Sequence, residues 1–188
     1  MILTLEARQD HRWDVALFSP LGDVEGNTFP ISPGGSFAVE VFATNIGNLD
    51  DGLSVSATGL LNQQGSDSAT DWKIYGENTT EVPVNSSTTL YLEIEAPFGS
   101  WNGTTYQISA SIVAFDVEIQ TFTFTLVVSH VAGWNAMASN ADLEIEPSGS
   151  TVSLTVVQEG NSPTRPYVSV QVDGEIDGKL MHLPIYQS

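Results

Sequence analysis

Apolar and polar residues alternate at period two along most of this chain, a pattern that builds strands and leaves little room for helices. Phe37, Val39 and Val41 alternate with Ser36, Ala38 and Glu40, and Leu53, Val55 and Ala57 with Ser54, Ser56 and Thr58. The same reading applies to Leu90, Leu92 and Ile94, to Tyr106, Ile108 and Ala110, and to Phe122, Phe124, Leu126 and Val128. Val152, Leu154 and Val156 repeat it, as do Val168, Val170 and Val172. Between them stand turn formers: Pro33-Gly34-Gly35, Gly47-Asn48, Asp51-Gly52, Asn102-Gly103, Asp173-Gly174 and Asp177-Gly178. Short strands with frequent turns predict an all-β chain built as an antiparallel β-sandwich.

An internal repeat divides the chain. Ile31-Ser32-Pro33-Gly34-Gly35-Ser36, a strand, Asn45-Ile46-Gly47-Asn48 and a second strand from Leu53 form one copy. Ile145-Glu146-Pro147-Ser148-Gly149-Ser150, a strand, Gln158-Glu159-Gly160-Asn161 and a strand from Tyr167 form the other, and a tryptophan precedes each copy, Trp13 and Trp134. We read each Gly-Asn as a polar loop feeding the partner strand. The first copy continues through 88–95, 105–114 and 118–128, enough for a seven-strand sandwich; the second has about half that set. Residues 1–9 then correspond to the last strand of a preceding module, 10–129 to one complete sandwich, and 130–188 to a second, partial or smaller one. Either a hairpin over 176–186 closes the second unit, or its sheet edge is covered by a strand donated from elsewhere.

Residues 29–128 resemble the Ig-like modules of the cell-adhesion-related (CARDB-like) type that occur in tandem on archaeal and bacterial surface proteins. The matching pieces are Pro33-Gly34-Gly35-Ser36, the Asn45-x-Gly47-Asn48-x-Asp50-Asp51 loop, and Ala96-Pro97 leading to Gly103-Thr104-Thr105-Tyr106. The resemblance implies an Ig-like fold, an extracellular scaffold or adhesion role, no catalytic residues, and a tyrosine-corner place for Tyr106. The departure is the connection over 60–76, rich in Gln, Ser and Asp, where a short loop with proline is more usual.

Charge narrows the function further. With 5 basic against 23 acidic residues the formal net charge is −18, so the surface has too few cations to neutralise phosphates. Nucleic acids and anionic membranes are excluded as partners. No apolar run reaches the length of a membrane span, and the opening Met1-Ile2-Leu3-Thr4-Leu5-Glu6 lacks the basic start of a signal peptide. If the protein is exported, the chain is expected to be part of a longer one. The absence of cysteine removes disulfides, thiolate metal sites and cysteine nucleophiles.

The remaining candidates are loop residues. Three N-x-[ST] sequons, at Asn78, Asn85 and Asn102, fall in one domain and read as glycan acceptors if the chain is exported. No acidic group has the spacing of a dedicated calcium loop. Among Asp23/Glu25, Asp67/Asp71, Asp173/Asp177 and Asp50/Asp51, the last pair is the best placed for Ca²⁺, at a module hinge where a cation would rigidify an array. Trp72 and Trp101 are the candidates for stacking on a sugar ring. His11, His130 and His182 are the only histidines, and no nucleophile elbow or zinc-protease motif accompanies them. The expectation is a non-enzymatic, cofactor-free extracellular module whose partners are neighbouring modules or subunits of a surface array, and possible glycans. A carbohydrate-binding module of a secreted enzyme or adhesin is the alternative.

Overall fold

The computed structural model describes residues 8–64, 71–138, 153–163, 173–176 and 179–182. Every regular element among them is a strand: β1 (Trp13–Phe18), β2 (Thr28–Ile31), β3 (Ser36–Asn45), β4 (Asp51–Asn62), β5 (Lys73–Gly76), β6 (Asn78–Val82), β7 (Ser87–Glu95), β8 (Thr105–Ala114), β9 (Val117–Val128), β10 (Trp134–Ala138), β11 (Leu154–Gln158), β12 (Asp173–Ile176) and β13 (Lys179–His182). None of the described residues forms a helix long and apolar enough to cross a membrane.

The first nine strands make an Ig-like sandwich. One sheet runs β1-β3-β7-β5 and the other β2-β9-β8-β4-β6. The alternating residues meet between them: Val39, Val41, Leu92 and Ile94 from one sheet, and Ile108, Ile112, Phe122, Phe124 and Leu126 from the other, are all essentially buried. Phe37 of β3 joins the sheets by lying 4.8 Å from Phe29 and 5.6 Å from Phe124, ring centre to ring centre. Each such side chain removed from water is worth about 1.5–3 kcal/mol, so this interior, and no cross-link, holds the module.

Three features depart from the sequence reading. The sandwich has nine strands where seven were expected, because residues 28–31 form a strand and the 60–76 connection contributes to both sheets. β4 continues to Asn62, β5 joins β7 in one sheet, and β6 pairs with β4 in the other. One pair is parallel: β2 runs alongside β9, with Pro30 opposite Val127. Proline has no N–H to donate, and β2 lies at the edge of its sheet, where that donor is not required. Finally, the β8–β9 turn holds Phe115 and Asp116 at φ 46° and 61°. This left-handed pair suits the twist of a two-residue hairpin but is unfavourable for a bulky aromatic.

Beyond β9, β10 and β11 pair antiparallel, as do β12 and β13. The second hairpin therefore spans Asp173–Ile176 and Lys179–His182, earlier than the 176–186 expected. Residues 1–7, 139–152 and 164–172, which carry the proposed preceding strand and parts of the second repeat, lie outside the described residues.

Candidate functional site

The two Gly-Asn landmarks make the same structure. In the first copy, β1 and β3 pair with Trp13 opposite Asn45, and the ladder continues as the Ile46 N–H donates to Arg12 O at 2.9 Å. Asn48 extends it. Its N–H donates to Asp10 O (3.1 Å), its Oδ1 accepts from the Asp10 N–H (2.8 Å), and its Nδ2 donates to Arg8 O (2.7 Å). The side-chain amide thus acts as one more peptide unit of a strand.

The second copy repeats these four bonds. Trp134 stands opposite Gln158, and the Glu159 N–H donates to Gly133 O at 2.9 Å. The Asn161 N–H donates to Val131 O (3.1 Å), its Oδ1 accepts from the Val131 N–H (2.7 Å), and its Nδ2 donates to Ser129 O (2.7 Å). Glycine precedes each asparagine for a steric reason. A Cβ on Gly47 would stand 2.1 Å from Asp10 O, and one on Gly160 2.5 Å from Val131 O, so only a bare backbone can come this close. The residue three before each asparagine also plays one part: Asn45 Nδ2 donates to Leu49 O at 2.9 Å, and Gln158 Nε2 to Ser162 O.

The second clamp is seated on the first sandwich. Ser129 directly follows β9, and the Asn102 N–H, in the turn before β8, donates to Asn161 O at 2.7 Å. Asn161 Nδ2 also lies 3.4 Å from Ser100 O. One residue therefore joins the end of β9, the turn at Asn102-Gly103 and the start of the next unit. The sequence marked Gly47-Asn48 and Gly160-Asn161 as repeat landmarks but not their partners. The signal was present in the constant offset of those partners from each tryptophan: Asp10 and Arg8 stand three and five residues before Trp13, as Val131 and Ser129 do before Trp134.

The opposite end of the sandwich carries the acidic group. A cleft of about 440 Å³ is lined by Asp50, Asp51, Ser54, Asn78, Phe115 and Asp116, among others. Asp51 is buried; its Oδ2 lies 2.8 Å from His11 Nδ1, and its Oδ1 accepts the Gly52 N–H at 2.8 Å. The His11 ring stacks on Phe115, with centres 4.6 Å apart, which ties the chain entering β1 to the β8–β9 turn. Asp50 Oδ1 accepts the Val84 N–H at 2.9 Å. Both aspartates proposed for Ca²⁺ thus hold protein N–H or imidazole groups, and no cluster of three metal-ligating side chains occurs among the described residues.

The other candidates are dispersed. Asn78 opens β6 and Asn85 sits in the β6–β7 turn at φ 61°, both exposed, whereas Asn102 is half-buried beside Asn161. Trp72 is half-buried and stacks on Tyr106 at 4.6 Å, while Trp101 belongs to the turn at the Asn161 end. The Tyr106 ring lies across Gly59 of β4, and burial pushes its phenol pKa up. That position is within the sandwich, unlike the hydrogen bond back across a strand corner that the family resemblance implies. His130 is exposed just after β9, and of Asp173 and His182 only the backbone is described.

No protein-family model matches the chain, and no curated protein does. Among solved structures, it is similar to a family 123 glycoside hydrolase from Clostridium perfringens (TM-score 0.42, 11% identity) over 62% of this chain and 27% of that one. A FixG-related protein from Vibrio parahaemolyticus aligns over 62% of this chain and 95% of its own (TM-score 0.42, 10% identity). BcpA, the major pilin subunit of Bacillus cereus, aligns over 82% and 57% (TM-score 0.37, 11% identity). These are distant likenesses of fold; the sandwich rests on its own strand order and core.

Proposed function

We propose that the chain is a structural segment of a tandem-module extracellular protein, of the kind the CARDB-like resemblance implies, with no catalytic role. The observation that carries this reading is the duplicated clamp. A unit that repeats the four bonds of its entry clamp, with the second copy seated on the end of the first, is built for stacking in series. His11 and the two aspartates of the cleft have structural partners: His11 holds Asp51, and Asp50 holds the β6–β7 turn. The charge of −18 suits a solvated spacer that must not self-aggregate.

Protease shaving of intact source cells tests the role. Peptides of this chain are expected in the released surface fraction. Their recovery only after lysis would overturn it. Within the reading, strand donation at the β10–β11 sheet would make the wild-type chain associate as concentration rises in light scattering. A monomer at every concentration would discard that variant while leaving the spacer role standing.

A further inference from the structure

The two clamps differ in one respect: what sits on them. Asn161 O accepts the Asn102 N–H, and Asn161 Nδ2 reaches Ser100 O, so the outer side of this loop is occupied by the β7–β8 connection of the first sandwich. Asn48 occupies the same position in its own copy, with the same three bonds inward to residues 8 and 10. Among the described residues no donor is seated on the Asn48 carbonyl. The neighbouring Ile46 is 44% exposed, an apolar side chain at the position where the other copy carries the exposed Glu159.

We infer that the Asn48 end of the sandwich is a docking surface, and that its partner is the β7–β8 turn of another sandwich of this fold. The partner's turn would supply a backbone N–H to Asn48 O and a carbonyl to Asn48 Nδ2, as Asn102 and Ser100 do for Asn161. The chain therefore carries both halves of one joint: a turn already filled by its own second copy, and a clamp whose outer carbonyl no described residue occupies. This rests on the tandem-module reading and adds its recognition chemistry. The joint is heterologous, so repeating it gives open-ended head-to-tail assembly and not a closed dimer.

A second copy of the full chain serves as the probe once its turn is released. Gly160→Val does this, because a side chain there cannot pass Val131 O. In that variant the Asn102 amide should exchange with solvent at least about tenfold faster, and sedimentation should show oligomers growing with concentration up to on the order of 1 mM. Added salt should strengthen them, since it screens repulsion between chains of charge −18. Adding Asn48→Ala should return the chain to monomer. Asn48→Asp, which sets a carboxylate against the incoming carbonyl, should do the same, with an unchanged near-ultraviolet signal from the aromatic side chains confirming the fold of each. Three results would overturn the proposal: continued protection of Asn102 in Gly160→Val, a freed turn with no association, or oligomers indifferent to both Asn48 variants. Surface shaving reads the cellular role separately, so the two readings can fail independently.

Discussion

The two copies of the repeat share a hydrogen-bond scheme but not a core. Trp13 is 9% exposed and belongs to the interior of the nine-strand sandwich, whereas its counterpart Trp134 is 37% exposed on a two-strand sheet. Asn45 is 1% exposed and bridges Leu49 O and Val82 O, whereas Gln158 is half-buried and reaches Ser162 O. Yet the clamp distances around Asn48 and Asn161 agree to within 0.1 Å. The clamp is thus a property of a few local residues, glycine for close approach and asparagine as a surrogate peptide. Burial is a property of the module around it.

The largest expected contrast lies in the core. Leu92→Ala should destabilise the first sandwich by about 3 kcal/mol in denaturant unfolding, because a fully buried leucine leaves a cavity. Leu154→Ala, at a position 41% exposed, should change stability by less than about 0.5 kcal/mol. Comparable losses at both would mean that the second unit has a core of similar weight, and the contrast drawn here would fail.

A smaller contrast lies beside the clamps. Asn45→Ala removes the bonds to Leu49 O and Val82 O and the acceptor for the Gly47 N–H, and should cost about 2 kcal/mol. Gln158→Ala should cost under about 1 kcal/mol in the same assay, its amide being half exposed to water.

How far the sequence revealed this follows from what period two encodes. Alternation states which side chains face inward, and Phe37, Val39, Val41, Leu92, Ile94, Ile108 and Phe124 are buried as it predicts. It does not state which strands are neighbours, so the parallel β2–β9 pair and the passage of residues 73–82 from one sheet to the other were not legible. The clamp was half legible. Gly-Asn stood out as a repeat, but its partners lie 38 and 40 residues away in the first copy and 30 and 32 in the second, and a hydrogen bond from a side chain to distant backbone leaves no mark on hydrophobic pattern. The candidate residues met the same limit. Nothing in the local sequence shows that Asp51 faces His11, or that Trp72 is covered by Tyr106.

The smallest effect is one of pH. Burial holds the Tyr106 phenol above its ordinary pKa, so the folded chain keeps a proton that the unfolded chain releases near pH 10. The stability contributed by this group is fully present below that pH and is lost as pH rises through the folded pKa. Unfolding measured from pH 8 to 11 should show a decline that Tyr106→Phe reduces. An identical decline in the variant would place the alkaline sensitivity elsewhere.

The claim that the two copies are one clamp used twice is tested most directly by amide exchange at Asp10 and Val131 in the full chain. Asn48→Ala should speed exchange at Asp10 about tenfold and leave Val131 unchanged, while Asn161→Ala should do the reverse, a tenfold change corresponding to about 1.4 kcal/mol. Response at only one of the two sites, or at both in either variant, would contradict it.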